Sequence, residues 1–238
     1  MTRRALVSGG SGEIGAAVCR QLAADGWEVI VHAYANAERA AALAAEIGAQ
    51  SLCFDLADAP AAATALSALL EQGPIQGVAH CAGVHEDAPL AGMSAAQWRR
   101  VIDVSLHGFF NLVQPLLLPM LRTRWGRIVS LSSVSAMIGN RGQVNYAAAK
   151  AGLHGATRSL ALEVASRGVT VNAVAPGIIA SAMSAAAFPP ERIEQLVPLQ
   201  RAGTPQEVAS LVAFLMSARA GYITGQVIPI TGGIAGAG

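Results

Sequence analysis

One turn constrains this chain more than anything else in it. Ser8-Gly9-Gly10-Ser11-Gly12-Glu13-Ile14-Gly15 lies directly between the apolar run Ala5–Val7 and the helix-like Ala16-Ala17-Val18-Cys19-Arg20-Gln21-Leu22. Gly10, Gly12 and Gly15 satisfy G-x-G-x-x-G in the strand–turn–helix setting that gives the pattern meaning. Glycines let such a turn form and let backbone N–H groups approach a pyrophosphate at a helix N-terminus, where the dipole favours negative charge. Taken alone, the match is no more than a tight turn of small residues. Its place at the head of an alternating pattern favours the phosphate reading.

That pattern runs from end to end. The β-like runs Ala5–Val7, Glu28–Ala33, Ser51–Phe54 and Val78–Cys81 alternate with helical patterns over 14–24, 36–47 and 59–72. A helix over about 95–121, the run Arg127–Leu131, a helix over about 143–166, the run Val169–Ala175, a helix over 205–217 and the run Gln226–Ile230 follow. Seven strands with intervening helices predict an α/β fold: a Rossmann-type, doubly wound, mostly parallel sheet with helices on both faces. No linker, charge block or repeat interrupts the 238 residues, so a single domain over 1–238 is expected. The alternation loosens only at about 178–203, which is Ala-rich and carries Pro189-Pro190 and Pro198. Following a strand of an open sheet, that irregular stretch is placed to be a substrate lid; a tolerated surface loop is the other reading.

Composition removes other classes. Sixteen Lys plus Arg against fifteen Asp plus Glu leave a net charge of +1, so no whole-chain footprint marks nucleic acid or an anionic membrane as partner. Cys19, Cys53 and Cys81 fit neither a CxxC pair nor a zinc spacing, and the five histidines are scattered, so no metal is expected. Sparse cysteines and the lack of a secretory h-region after Met1 predict a reduced, cytoplasmic protein. The uncharged stretches 104–121, 168–190 and 220–238 all contain Pro or Gly, which argues against a lipid-spanning helix. Hydrophobic residues make up 53% of the chain and charged ones 13%, which predicts extensive subunit contacts.

The second strand ends His32-Ala33-Tyr34-Ala35-Asn36, without the acid that would hold a free ribose 2′-OH. Arg39 and His32 are the nearby groups that could meet a 2′-phosphate, so NADP is expected in preference to NAD, which is not excluded. Asp55 follows the third strand, placed to accept from an adenine amino group or to serve as an acid at a helix N-terminus. Tyr146-Ala147-Ala148-Ala149-Lys150 puts a phenol and an ammonium on one helix face. A cation close to the phenol favours its ionised form and brings proton exchange toward neutral pH, which makes Tyr146 a general acid for a carbonyl oxygen. Ser133, thirteen residues earlier at a strand end, can donate to the same oxygen.

With those residues in place the chain resembles the short-chain dehydrogenase/reductase family over essentially its whole length. The glycine turn, His80-Cys81-Ala82-Gly83 where the family has an Asn-Asn-Ala-Gly-like segment, Ser133, Tyr146, Lys150 and Pro176-Gly177 carry the resemblance. Within the family, Asn140-Arg141-Gly142-Gln143-Val144-Asn145-Tyr146, Val171-Asn172-Ala173-Val174-Ala175-Pro176-Gly177 and Tyr222-Ile223-Thr224-Gly225-Gln226 look most like 3-oxoacyl-[acyl-carrier-protein] reductases.

The resemblance implies NADPH-dependent reduction of a 3-oxoacyl thioester, on acyl carrier protein or CoA, to the 3-hydroxyacyl thioester in fatty-acid or polyene-type biosynthesis. Tyr146 would protonate the oxygen, Ser133 hold it, and Lys150 bind the nicotinamide ribose while tuning Tyr146. Cofactor contacts are implied at Ser8, Gly9, Gly10, Ser11, Gly12, Ile14 and Gly15, at Leu56 beside Asp55, at Cys81, Ala82 and Gly83, and at Tyr146 and Lys150. After Pro176 and Gly177 they are implied at Ile179 and Ser181, the latter replacing a usual Thr.

Two positions depart from the family. Its tetrad Asn, which bends a helix and holds a water linking the lysine to solvent, falls on Ser105; a hydroxyl that bonds both backbone and water is expected to keep turnover ordinary. Glu13 follows Gly12 where relatives have glycine after a basic or small residue, and it is expected to point outward. Carrier docking is implied at Arg124 and Arg167, near the cleft, with Arg122 and Arg158 in support; solvated helix ends are the plainer reading. A homotetramer or dimer through the 95–121 and 143–166 helices and the last strand is implied. Two rivals remain: a related reductase acting on another ketone or alcohol, and a weakly active cofactor-binding subunit of a hetero-oligomer, suggested by Ser105, Glu13 and His80.

Overall fold

A computed structural model describes residues 2–181 and 188–234. Its seven strands are β1 (Arg4–Ser8), β2 (Glu28–Ala33), β3 (Gln50–Cys53), β4 (Gly77–His80), β5 (Gly126–Leu131), β6 (Val169–Pro176) and β7 (Val227–Ile230). All pair in parallel in the order β3-β2-β1-β4-β5-β6-β7. The direction of winding reverses between β1 and β4, which opens a crevice beyond their carboxyl ends.

Alternation along the strands builds two cores. Ala5, Val7, Val29, Val31 and Val129 point to one face, where α1 (Glu13–Ala24), α2 (Ala37–Ile47) and a C-terminal helix cover them. Leu6, Ile30, Val78 and Ile128 point to the other. Burial on both faces is why the strands read as continuous apolar runs. The second face is covered by α3 (Ala59–Glu71) and by a long rod made of α4 (Ala95–Ile102), a π turn (Asp103–His107) and α5 (Gly108–Arg122). The rod is long and apolar enough to cross a bilayer, but here Leu112, Leu116 and Met120 are buried in the second core.

The uninterrupted helix expected over about 95–121 is thus corrected: five residues in its middle widen to π geometry, a device that often marks a functional site. After β5 come the short α6 (Ser135–Ile138) and α7 (Val144–Val164). The stretch read as irregular is partly helical, since α8 (Pro190–Leu196) starts on a proline, which suits a first helical turn. Residues 182–187 of that expected lid lie outside the described residues. The last helix, α9 (Pro205–Met216), opens with a capping box between Thr204 and Glu207 and packs on α1.

Candidate active site

A cleft of about 740 Å³ runs along the carboxyl ends of β1 to β4. Gly9, Ser11 and Gly12 form its floor, with Tyr34 and Asn36 after β2, Asp55 and Leu56 after β3, and Cys81, Ala82 and Gly83 after β4. Gly12 caps α1 with no side-chain hydrogen bond, so the first N–H groups of the helix have no capping side chain in their way. Gly9 has φ +66°, and a Cβ there would stand 2.9 Å from the Ala82 backbone. A pyrophosphate fits this cradle, and the volume suits a dinucleotide.

The other residues of the turn shape it from behind. Gly10 leaves room for Val31 and Cys19, and Gly15 lies under the Gly9 carbonyl. Ile14 packs against the first core. Ser8 is fully buried; its Oγ accepts from Ala82 N (3.2 Å) and donates to His80 Nδ1 (2.9 Å).

His32 is not available to a phosphate, which corrects one expectation. Its Nε2 donates to the Phe54 carbonyl (3.0 Å), its Nδ1 accepts from Gly9 N (3.4 Å), and burial pushes its pKa down to about 4. Arg39 is exposed on α2 and is not among the cleft-lining residues. Among the described residues, the cations that do line the cleft are Arg99 and Arg100 of α4. They escaped sequence reasoning, although Ala96, Arg99, Arg100 and Asp103 recur at the spacing of a single helix face. Arg100 pairs with Glu86 (3.2 Å). Asp55 Oδ1 accepts from Ala57 N (2.9 Å), holding the turn after β3.

Beside Gly83 of the cleft wall stands Lys150, and with it come Tyr146 and Ser133. Asn145 pins the start of α7: its Oδ1 accepts from Tyr146 N (2.8 Å) and its Nδ2 donates to the Glu86 carbonyl (3.0 Å). Ser133, just beyond β5, accepts from Ser135 N (3.1 Å) and lies close enough to Tyr146 to lower the pKa of its phenol. Ser135 Oγ donates to Gln143 Oε1 (2.9 Å), and Gln143 Nε2 donates to Asp87 (2.8 Å), so this corner is cross-braced. One turn further along α7, Lys150 Nζ stands 5.7 Å from the centre of the Tyr146 ring and donates to the Leu131 carbonyl (2.8 Å). Ser105, in the π turn, is also buried here, and its hydroxyl has no hydrogen-bond partner among the described residues.

Electrostatics depart from the expectation that Lys150 draws the phenol toward neutral pH. Burial raises the Tyr146 pKa above the ordinary tyrosine value, Ser133 pulls it back, and Asp87 raises it further. Burial lowers the Lys150 pKa to about 8. The protein alone therefore keeps the phenol protonated, which is the form a proton donor needs.

The remaining predicted positions divide. Pro176 ends β6, and Gly177 fits against Thr231. Ile179 is buried in the first core and bridges to Gly203, so its side chain packs inward and does not line the cleft. Ser181 is the last residue described before 188. Arg124 and Arg167 precede β5 and β6 and lie next to each other, since the Arg124 carbonyl closes over Gly168. That is the amino edge of the sheet, roughly 20 Å of strand from the carboxyl edge. The expectation that they flank this chain's own cleft is corrected by the parallel topology. Among the described residues no group of three His, Cys, Asp or Glu side chains is arranged to hold a metal ion.

Comparison with known proteins agrees with this architecture. The family described as enoyl-(acyl carrier protein) reductase matches residues 10–235. A 3-oxoacyl-[acyl-carrier-protein] reductase of Aggregatibacter actinomycetemcomitans is 42% identical over 98% of this chain and all of its own length. One from Staphylococcus aureus is 42% identical over 98% of both chains, as is an acetoacetyl-CoA reductase of Rhizobium meliloti. With the glycine cradle, the parallel sheet and the Ser–Tyr–Lys cluster in hand, these matches show that the chain belongs to the short-chain dehydrogenase/reductase family of NAD(P)-dependent oxidoreductases.

Proposed function

We propose that this protein reduces the 3-oxo group of an acyl thioester, carried on acyl carrier protein or CoA, to the 3-hydroxyacyl thioester, in fatty-acid or polyene-type chain building. The observation that carries the reading is the meeting of Ser133, Tyr146 and Lys150 beside the cradle. When bound there, the nicotinamide supplies a hydride to the carbonyl carbon. Ser133 holds the carbonyl oxygen by its hydroxyl, and Tyr146, kept protonated by burial, delivers the proton to that oxygen. Lys150 holds the ribose and, as an ammonium, stabilises the phenolate left behind. Two hydroxyls aimed at one oxygen suit a ketone, and the names of the curated relatives agree with it.

NADPH is the expected reductant because no acid lines the cleft after β2, where Tyr34, Ala35 and Asn36 stand. The stretch 178–203 serves as the substrate lid. Arg124 and Arg167 remain the proposed carrier contact, and a carrier bound there serves the cleft of a second subunit. A second copy is supported by the exposed Phe110 and Leu118 of α5 and Leu162 of α7. The assembly is a cytoplasmic homotetramer.

The test follows cofactor absorbance with acetoacetyl-CoA, using NADPH or NADH. Oxidation of NADPH that disappears in Tyr146→Phe supports the reading. Activity in neither protein overturns it in favour of a cofactor-binding subunit.

A further inference from the structure

Ser132, the residue directly before Ser133, is 4% exposed, and its hydroxyl stands between two groups of α7. Its Oγ lies 3.2 Å from the Lys150 carbonyl oxygen and 2.5 Å from His154 Nε2. A hydroxyl has one hydrogen, so it cannot donate to both. If it turned to a bare Nε2, Oγ and the Lys150 oxygen would face each other with lone pairs alone. If Nε2 carries the ring proton, that N–H donates to Oγ, the hydroxyl donates to the carbonyl, and both contacts are hydrogen bonds. The second arrangement gives each hydrogen a single place. Burial and Arg158, one turn further along α7, hold the half-buried ring below the ordinary histidine pKa, so at neutral pH it is uncharged and Nδ1 is bare.

These bonds close a brace around the lysine. Lys150 Nζ donates to the Leu131 carbonyl at 2.8 Å and Ser132 Oγ donates to the Lys150 carbonyl, so two consecutive residues where β5 ends are bonded to the side chain and the main chain of one α7 residue. On its other side the same segment is held by β6: Ser132 N donates to the Val174 carbonyl at 2.7 Å and Val134 N to the Pro176 carbonyl at 2.8 Å. Ser133 sits between those two anchors. What they leave open is its distance from α7, where Tyr146 stands one turn before Lys150. A lysine stem is long and flexible, whereas the Ser132 arm is short and reaches main chain, so the hydroxyl sets that distance more firmly.

We propose that His154 is a positioning residue for Ser133: its Nε2–H turns the Ser132 hydroxyl onto the Lys150 carbonyl, and that bond sets how far Ser133 stands from Tyr146. Neither His154 nor Ser132 lines the cleft, so cofactor binding lies outside the reach of the brace. The inference rests on the proposed ketone reduction only for its kinetic readout.

The test compares His154→Phe, which keeps a ring and removes the donor, with His154→Gln, which restores an N–H at similar reach. Expected is a fall in kcat of about fivefold or more for His154→Phe, with KM for the cofactor moved less than about twofold, and recovery of most of that loss in His154→Gln. Ser132→Ala should lower kcat comparably, and the two changes combined should lower it no further. In a Ser133→Ala background His154→Phe should have no added effect, because it acts through Ser133; general loosening of α7 would still show there. An unchanged kcat in His154→Phe, a raised KM with kcat intact, or a loss that persists without Ser133 would each overturn the proposal. Should His154→Phe not fold, His154→Asn, whose amide stops short of Ser132, takes its place. Ring nitrogen NMR of the wild-type protein, which needs no substrate, should show Nε2 protonated and Nδ1 bare at neutral pH; the other tautomer sinks the proposal. Wild-type protein inactive on acetoacetyl-CoA would overturn the ketone reading alone, and the tautomer would then decide for His154.

Discussion

Lys150 Nζ donates to the Leu131 carbonyl oxygen at 2.8 Å, which ties the middle of α7 to the carboxyl end of β5. The bond fixes the ammonium where it can act on Tyr146, but burial leaves it with a pKa of about 8. Below that pH the lysine is charged and can stabilise the phenolate formed as Tyr146 gives up its proton; above it, the charge is lost. In the reductive direction kcat/KM is therefore expected to fall as pH rises through about 8. A pH–rate profile checks this, and a limb that stays flat well above that pH removes Lys150 from the proton step.

Replacing Tyr146 by Phe takes away the donor and leaves the ring. The loss in kcat should be about 10²–10⁴-fold, the range general acid catalysis supplies. Ser133→Ala leaves the donor in place and removes one of two hydroxyls on the oxygen, so its loss should be the smaller of the two. Fluorescence titration with the reduced cofactor should find both variants within about threefold of wild-type affinity, since neither side chain lines the cofactor cradle. Affinity lost in step with kcat would mean that these groups bind the cofactor and do not handle the proton.

Gly15 sits so close under the Gly9 carbonyl that a Cβ has no room, and the obstacle is backbone. Gly15→Ala must push the cradle open, and overpacking of this kind costs about 1–3 kcal/mol or more. Denaturant unfolding should show that loss together with weakened cofactor binding. Gly92, with nothing near its Cβ position and no left-handed backbone, is the control: Gly92→Ala should change stability by less than about 0.5 kcal/mol.

The parts of the fold legible in the sequence are those set by short-range rules. Leu6 between Ala5 and Val7, and Ile30 between Val29 and Val31, supply both faces of a buried parallel sheet, so apolar runs and strands coincide. Tyr146 and Lys150 were legible because four residues make about one helical turn. What escaped depends on contacts across the chain. The π turn cannot be read from 95–121 because the group that bonds its Ser105 carbonyl, His80, comes from β4. His32 looked free at a strand end, yet Gly9 and Phe54 occupy both its ring nitrogens. The distance of Arg124 and Arg167 from the cleft was within reach: both directly precede strands, and parallel strands put everything that precedes them at the amino edge.

The buried histidines predict how acid will unfold the protein. His32 has a pKa of about 4 in the folded chain against 6.5 when free, because burial penalises its charged form. His80, wholly buried and facing Lys150, is pushed down to about 3. Above pH 6.5 both rings are neutral whether the chain is folded or not, and they make no difference. As pH falls through that value the unfolded chain takes up protons that the folded chain refuses, so stability declines until the folded pKa is reached. For His32 alone the loss approaches roughly 3 kcal/mol near pH 4, and His80 adds to it over the same range. Urea unfolding between pH 7 and 4.5 should show stability dropping on the acid side, with a shallower drop in His32→Gln. Equal slopes in the two proteins would mean that His32 is already protonated, or solvent-accessible, in the native state, and the Gly9–His32–Phe54 bridge would then have to be abandoned.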